Sequence, residues 1–139
     1  MTDQEIIDGN VLLAKMMGGH YRHKYGFGNQ MGYEFTKEPY AKLDSHNSAT
    51  WYSPKALKFH SSWDWIMPIV ENIEKGNYGI KQCRKVVEIY FDDTKEVILK
   101  VKEKSRLESL FKAIVDFCNW YLIRVAENSG KEIFTESQN

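Results

Sequence analysis

The hydrophobic positions near the start of the chain recur at helical spacing. Thr2 and Glu5 match a capping box, in which each side chain satisfies a backbone donor of the other residue at a helix start. Glycines at 18 and 19 favour an end to the helix soon afterwards. The pattern therefore predicts a first helix between these signals, with an apolar series formed by Ile6, Ile7, Leu12, Leu13, Met16 and Met17.

The next part of the chain predicts loops and short strands. Residues 20–29, HYRHKYGFGN, are broken by glycine, and we interpret them as irregular. Met31, Tyr33 and Phe35 alternate with Gly32 and Glu34, which is typical of a half-buried strand. Residues 36–47 are predicted to form a loop, and residues 49–52 a short second strand.

Residues 59–74, FHSSWDWIMPIVENIE, predict a second amphipathic helix. Pro68 is the complication, because proline suits a first turn but interrupts the hydrogen-bond ladder of a helix interior. We therefore favour an opening turn at residues 61–64 and regular helix after it, ended by Gly76 and Asn77. The alternative is that Ser62 caps the helix and Pro68 kinks it. The core-facing stripe comprises Trp65, Ile66, Ile69, Val70 and Ile73.

A hairpin and a third helix complete the pattern. Alternation over residues 83–91 and 97–102, with a turn at 92–95, predicts two strands with one face buried. Ser105 and Glu108 match a second capping box. A long apolar stripe follows it, formed by Leu107, Leu110, Phe111, Ile114, Cys118, Tyr121 and Leu122.

The predicted order of elements is α-β-β-α-β-β-α. We expect an α+β fold in which one antiparallel sheet carries helices packed on one face. A chain of 139 residues suits one domain, which we place at residues 1–128. Residues 129–139 are polar and are predicted to form a frayed tail.

Charge and cysteine content limit the classes of partner. The chain has 19 basic and 19 acidic residues, so no global field holds it on nucleic acid, which is not the expected partner without a local patch. Cys83 and Cys118 form no CxxC motif, and we expect buried thiols in a reducing cytoplasm. The start of the chain lacks an apolar signal segment, and no apolar run approaches ~20 residues, so no membrane partner is expected.

The candidate catalytic and metal motifs are weak. His20 and His23 are three residues apart but have no nearby carboxylate, so surface or packing roles are favoured over a metal site. Ser61 or Ser62, His60 and Asp64 could be combined into a triad, but such close neighbours rarely aim at one another. No dinucleotide or Walker motif is present, and no cofactor is expected.

A segment rich in cations and aromatics is the stronger candidate for function. Arg22 and Lys24 could hold phosphate while Tyr25 or a neighbouring aromatic stacks on a base. The alternative is a solvated loop whose aromatic side chains enter the core. The predicted ligand-binding site comprises Arg22, Lys24, Tyr25, Trp51, His60, Trp63 and Asp64.

Two aromatic pairs have structural interpretations. Trp65 is expected in the core and Trp63 at an edge, while His60 and Asp64 could simply hydrogen-bond across a helix start. In the last helix Tyr121 lies on the apolar stripe and Trp120 lies off it, and an exposed Trp120 would indicate an oligomer interface.

Residues 59–74, the following hairpin and the later FCNWY at 117–121 resemble small proteins of phages and prophages, especially those of Bacteroidetes hosts. The MMGG at 16–19 and the GYE at 32–34 also resemble that group. The resemblance implies an accessory phage gene product. It implies no catalytic residues. We separately expect the protein to act in the host cytoplasm.

Three functional hypotheses follow. The first is a non-enzymatic binding protein that sequesters a nucleotide-like ligand or a host protein and so counters host defence. The second is a small hydrolase or nuclease-like enzyme that uses His60 and Asp64 as acid and base. The third is a structural homo-oligomer whose aromatic side chains serve the core and an interface.

Overall fold

The computed structural model describes residues 1–24, 30–41 and 49–136, with side chains described as far as residue 128. Within these residues, three α-helices and six strands follow one another in the order α-β-β-β-α-β-β-β-α. The helices are α1 (Asp3–Met16), α2 (Trp63–Lys75) and α3 (Arg106–Glu136), and a short 3-10 turn occupies Pro54–Ala56. The strands are β1 (His20–His23), β2 (Met31–Phe35), β3 (Thr50–Tyr52), β4 (Tyr78–Cys83), β5 (Val86–Phe91) and β6 (Val97–Lys102).

The α+β class is confirmed, but the strands form two sheets where one was predicted. Strands β1, β2 and β3 make one antiparallel sheet in that order, and β4, β5 and β6 make the other. The expectation that residues 20–29 are irregular was wrong for β1, whose four residues are all exposed and so lack the alternation of a half-buried strand. Residues 25–29 lie outside the described part of the chain.

The prediction of a single strand over residues 83–91 is also wrong, because the strand begins at Val86 and Cys83 belongs to the preceding strand. The chain turns at Arg84 and Lys85, so that β4 ends at Cys83 and pairs with β5. Neither turn residue is the glycine or asparagine that usually marks a two-residue hairpin, which is why the sequence pattern concealed the turn. Val87 and Ile89 are buried on the shared face, as predicted.

Both ends of α1 follow the sequence signals. The Glu5 backbone N–H donates to Thr2 Oγ1 at 3.1 Å, and the Thr2 N–H donates to Glu5 Oε1 at 2.8 Å, which confirms the capping box. The helix ends at Met16 with Met17 as its C-cap, and Gly18 follows with φ of 86°, a left-handed conformation that glycine adopts without steric cost.

Helix α2 lacks the favoured opening turn and instead has Ser62 at its N-cap position, as in the alternative prediction, although the serine side chain makes no capping hydrogen bond. It is helical from Trp63 onward, so Pro68 lies inside it and removes one donor from its ladder. The Tyr40 hydroxyl donates to the Trp65 carbonyl oxygen at 2.7 Å in the same part of the helix. Trp65 also packs edge-on against Tyr52 and Phe59, so this aromatic cluster joins α2 to the first sheet. Trp63 is 41% exposed, which confirms its position at an edge.

Helix α3 packs against the second sheet and contacts the other two helices. Its inner face packs on β5 and β6. Trp120 is half-buried against Tyr78 and Phe117, whereas Tyr121 is exposed, so the predicted positions of Trp120 and Tyr121 are reversed. The buried residues of this face are Leu110, Phe111, Ala113, Ile114, Val115, Phe117 and Cys118. The helix continues to Glu136, and the frayed tail predicted from residue 129 stays a prediction.

The two thiols have different surroundings. Cys118 is buried, and that burial raises the pKa of its thiol to about 12. Cys83 is exposed on β4, so the expectation of a buried thiol was wrong there. Across the described ranges, no helix combines the length and the apolar character needed to cross a membrane.

A valine at Gly9 should destabilise the fold, because α1 and α3 approach closely at this glycine. A β-carbon built there would lie 2.8 Å from Phe111 Cζ and 3.0 Å from Val115 Cγ2, and both neighbours are buried. We expect Gly9→Val to lower the free energy of unfolding by about 1 to 3 kcal/mol through overpacking, as measured by urea denaturation.

The matched control for Gly9→Val is Lys15→Val, at an exposed position of the same helix. It should change the free energy of unfolding by less than about 1 kcal/mol. A Gly9→Val protein as stable as the wild type would show that the two helices do not depend on this close approach.

Candidate ligand-binding site

The outer face of the first sheet gathers part of the predicted site. Arg22 on β1 stands opposite Gly32 on β2, and Glu34 on β2 stands opposite Trp51 on β3. Because residues that are paired across strands, or that are two apart along a strand, share a face, these four residues lie on one face. The opposite face carries Tyr33 and the buried Phe35, as well as Tyr52.

Trp51 lies flat across the middle strand because residue 32 has no side chain. A β-carbon built on Gly32 would stand only 2.6 Å from Cε2 of the indole, so the ring occupies the space that a side chain would fill. The indole N–H donates to the Arg22 carbonyl oxygen at 3.2 Å. The ring therefore spans from β3 to β1, with one face against the sheet and the other turned outward.

Two cations border the indole. The Lys24 ammonium lies over the ring, with Nζ 5.4 Å from the ring centroid, a cation–π geometry. The Arg22 guanidinium contacts Glu34 at 2.7 Å, with the arginine side chain 56% exposed and the carboxylate 24% exposed. This pair fixes the Arg22 side chain on the same face of the sheet as the indole, and the group of two cations and one carboxylate carries a net charge of +1.

The other predicted site residues lie elsewhere or outside the described residues. His60 precedes α2, while Trp63 and Asp64 form its first turn. Within the described part of the chain, no hydrogen bond, ion pair or ring contact joins Arg22 or Trp51 to any of these three residues.

Tyr25 lies in the segment that the structure does not describe. The structure therefore brings Arg22, Lys24 and Trp51 together and leaves the stacking role of Tyr25 as a prediction.

His60 belongs to a separate polar contact with the first helix. Its Nδ1 lies 2.8 Å from Asn10 Nδ2, and its ring also packs edge-on against Phe111. Burial lowers the pKa of His60, because a desolvated imidazole is less favourable when charged. Within the described residues its hydrogen bond goes to Asn10, and none goes to Asp64.

This contact leaves one buried acceptor unpaired. Asn10 is 2% exposed, and its Oδ1 has no hydrogen-bond partner among the described residues. Asn10 and His60 border a cleft of about 350 Å³ together with Asp3 and Lys55. The described part of the chain holds no group of three or more His, Cys, Asp or Glu side chains placed to bind a metal ion.

The sequence-based prediction missed two residues of the site around the Trp51 indole. Gly32 provides the space under the ring, and Glu34 positions Arg22. An isolated glycine inside an alternating strand indicates a close approach by another group, so Gly32 carried a usable signal. Glu34 carried none, because the identity of its partner depends on the β1–β2 register.

The lowered pKa of His60 predicts loss of stability in acid. Since the folded pKa lies below the unfolded value near 6.5, the unfolded chain binds the proton first as pH falls. Stability should be complete above the unfolded pKa and decline as pH falls towards the folded pKa. Urea denaturation at about pH 7.5 and about pH 5.5 measures this change.

His60→Gln should show a smaller loss of stability between these pH values than the wild type does. His23→Gln, at an exposed position on β1, serves as the control and should keep the wild-type pH dependence. Equal pH dependence in wild type and His60→Gln would mean that another group is responsible.

Comparison of this chain with protein-family models, with curated proteins and with solved structures finds no match. A function for the protein is therefore inferred from its own side chains. The contacts among Arg22, Lys24, Glu34 and Trp51 provide the basis for that inference.

Proposed function

We propose that this protein is a non-enzymatic binding protein that holds a nucleotide-like ligand on the outer face of its first sheet. The base would stack on the outward face of Trp51 and displace the Lys24 ammonium from the ring, and the phosphate would contact Lys24 and Arg22. The observation that carries the proposal is the indole lying flat over Gly32 with a cation above it.

The indole is suited to stacking because its position is already fixed. The sheet backbone supports its inner face, and its N–H is held by the Arg22 carbonyl at 3.2 Å. A ligand therefore pays little entropy for ordering the ring, which favours affinity. Stacking of one base on an aromatic side chain is worth about 1 to 3 kcal/mol.

The charge of the site suits a small anion better than a long one. Lys24 and Arg22 provide two cations, while Glu34 neutralises part of the field. A single phosphate group can replace the carboxylate as an arginine partner, since guanidinium binds both in the same bidentate way. The ligand class that fits is therefore a mononucleotide or a molecule of similar shape.

The biological setting of the proposal comes from the resemblance to phage proteins. A small protein without catalytic chemistry that captures a nucleotide-like signal would counter a host defence by sequestration, in the host cytoplasm. The hydrolase alternative receives less support. His60 is hydrogen-bonded to Asn10, and among the described residues no carboxylate is hydrogen-bonded to His60.

Replacing Trp51 should weaken nucleotide binding. We expect Trp51→Leu to lose about tenfold or more in affinity for mononucleotides, because the stacking surface disappears. Equilibrium dialysis against adenine, guanine, cytosine and uracil mononucleotides measures the effect. Trp63→Leu is the matched control, because Trp63 is also an exposed tryptophan, and it should bind as the wild type does.

The phosphate contact has its own test within the same experiment. The wild type should prefer a nucleotide over the corresponding nucleoside, and Lys24→Gln should reduce that preference. If the Trp51 ring serves only to cover Gly32, Trp51→Leu should lower the melting temperature, and the wild type should bind no nucleotide. That outcome would refute the proposal.

A homo-oligomer is the second candidate function, favoured by one specific observation. Helix α3 carries Tyr121, Leu122, Ile123 and Val125 in an exposed state, and Ile123 is 63% exposed. Apolar side chains clustered on a surface are typical of protein interfaces. Two copies of the chain could cover them.

Sedimentation velocity tests the oligomer hypothesis. If it is correct, the wild type should sediment as a dimer or a larger species, and Ile123→Glu should shift it towards the monomer because a charge would be buried in the contact. Lys112→Glu, on the same helix, is a control for added negative charge. A monomeric wild type would exclude this function.

A further inference from the structure

The outer face of the second sheet carries an ordered array of side chains. Lys81, Glu88 and Lys100 form one row across β4, β5 and β6, and the next row comprises Cys83, Val86 and Lys102. Both rows lie on the same face, because the paired residues are two apart along each strand. The opposite face of the sheet packs on α3 through Val87 and Val101.

This face is strongly basic although the whole chain is neutral. A shallow groove of about 630 Å³ is lined by five cations and one carboxylate, hence a net charge of +4. Because the chain as a whole sums to zero, the residues outside the groove carry a net −4. Lys100 pairs with Glu88 at 3.6 Å. The five cations are Lys81, Arg84, Lys85, Lys100 and Lys102.

An aromatic ring lies at one end of the same face. Tyr90 stands opposite Gly79, and a β-carbon built on Gly79 would overlap the tyrosine ring, so the ring lies flat against the strand. The Lys95 ammonium lies over this ring, 5.6 Å from the centroid. The arrangement repeats that of Gly32, Trp51 and Lys24 on the first sheet.

Two cations of the second sheet occupy backbone positions that favour glycine. Arg84 has φ of 56° and Lys95 has φ of 64°, both in the left-handed region. A side chain with a β-carbon costs energy there, and such residues concentrate at functional sites. Both side chains belong to the basic face or its border, since Arg84 lines the groove and Lys95 covers Tyr90.

Helix α3 fixes the basic turn in place. Ser109 is fully buried, its hydroxyl donates to the Lys85 carbonyl, and it accepts from the Glu103 N–H at 2.8 Å. Arg106 Nε donates to the Arg84 carbonyl oxygen at 3.0 Å. The backbone of the turn is therefore held rigidly, which aligns its cations before a ligand arrives.

We propose that the outer face of the second sheet binds single-stranded nucleic acid, with its phosphates on the lysine rows and an unpaired base on Tyr90. Charge complementarity selects a polyanion, since phosphate contacts by lysine and arginine supply most of such affinity. The flat tyrosine selects a single strand, because only an unpaired base exposes its face for stacking. This site is separate from the nucleotide site proposed on the first sheet.

The acidic turn next to Tyr90 gives the site a direction. Asp92 and Asp93 follow β5 and are exposed, so phosphates are repelled beyond the tyrosine. The strand of nucleic acid would run from Tyr90 towards Arg84. The distance from the Gly79 row to the Cys83 row is four residues, or about 13 Å along a strand, which suits a few nucleotides.

The lysine rows are tested by salt-dependent binding. Fluorescence anisotropy with a labelled oligothymidylate or oligouridylate of about 12 nucleotides gives the affinity over a range of salt concentrations. For Lys81→Gln combined with Lys100→Gln and Lys102→Gln, we expect affinity about 100-fold lower near 0.1 M salt and a salt slope shallower by about 2.

The control for charge is Lys37→Gln combined with Lys55→Gln and Lys58→Gln, which removes three exposed lysines outside the groove. It should keep the affinity and the slope. If the two triple variants bind equally well, the site is not on this face.

The tyrosine is tested by two substitutions at one position. Tyr90→Leu should weaken binding about tenfold with the salt slope unchanged, since stacking does not release counterions. Tyr90→Phe keeps the ring and should bind as the wild type does. Equal oligonucleotide binding by all three proteins would show that no base stacks on Tyr90. Equal affinity of the wild type for polyglutamate of the same charge would indicate a generic acidic partner. Either result would overturn the proposal.

Arg84→Gly separates function from folding. Glycine relieves the left-handed backbone, so we expect the variant to melt no lower than the wild type while it binds the oligonucleotide more weakly. If Arg84→Gly binds the oligonucleotide as tightly as the wild type does, the arginine side chain does not contact phosphate.

Cys83 locates the ligand without any substitution. It is the exposed member of the two cysteines, and it lies in the same row as Lys102 on the proposed surface. Bound oligonucleotide should slow its alkylation by N-ethylmaleimide. Binding without this protection, or binding to phosphatidylserine vesicles alone, would contradict the proposal.

Mononucleotide binding that depends on Trp51 should persist in the Lys81, Lys100 and Lys102 triple variant. Loss of oligonucleotide binding in that variant, with mononucleotide binding intact, identifies two independent sites. The two proposals can therefore fail separately.

Discussion

The apolar face of α3 is the surface on which the rest of the structure depends. The second sheet packs on it through β5 and β6, and α1 approaches it so closely that a β-carbon at position 9 would press on Phe111. Since side chains on the second sheet and on two helices lose water against this face, its burial joins these elements, and α2 in turn contacts the first sheet through Trp65. Ser109 adds a polar connection, because its hydroxyl joins the helix to the turn after β4 and to the segment after β6.

Each sheet places an aromatic ring flat on its outer face by the same physical means. A glycine leaves the strand surface bare, a tryptophan or tyrosine on the neighbouring strand covers it, and a lysine lies above the ring. Covering the glycine protects the backbone and stabilises the sheet, which accounts for the arrangement structurally. The other face of each ring points away from the strand, and a planar ligand that displaces the lysine can stack there. Stability and binding therefore use opposite faces of the same side chain.

The distribution of charge matters more than its sum. A neutral chain argues against nucleic acid only if its charges are mixed evenly, and here the outer face of β4–β6 collects five cations with one carboxylate. These residues alternate with apolar ones along the strands, so the burial of Val87 and Val101 forces the lysines onto a single exposed face. The basic surface is a consequence of strand register. A composition count could not reveal it.

Local signals in the sequence determined the ends of α1, the extent of β2 and the buried face of β5, because capping boxes, glycine stops and alternation act over a few residues. They also determined that Arg22, Lys24 and Trp51 were candidates for binding. Only tertiary structure decided that these three meet while His60 bonds to Asn10, since both contacts join segments far apart in the chain. It likewise divided the strands into two sheets and gathered the lysines, because strand pairing depends on long-range register that short-range patterns do not specify.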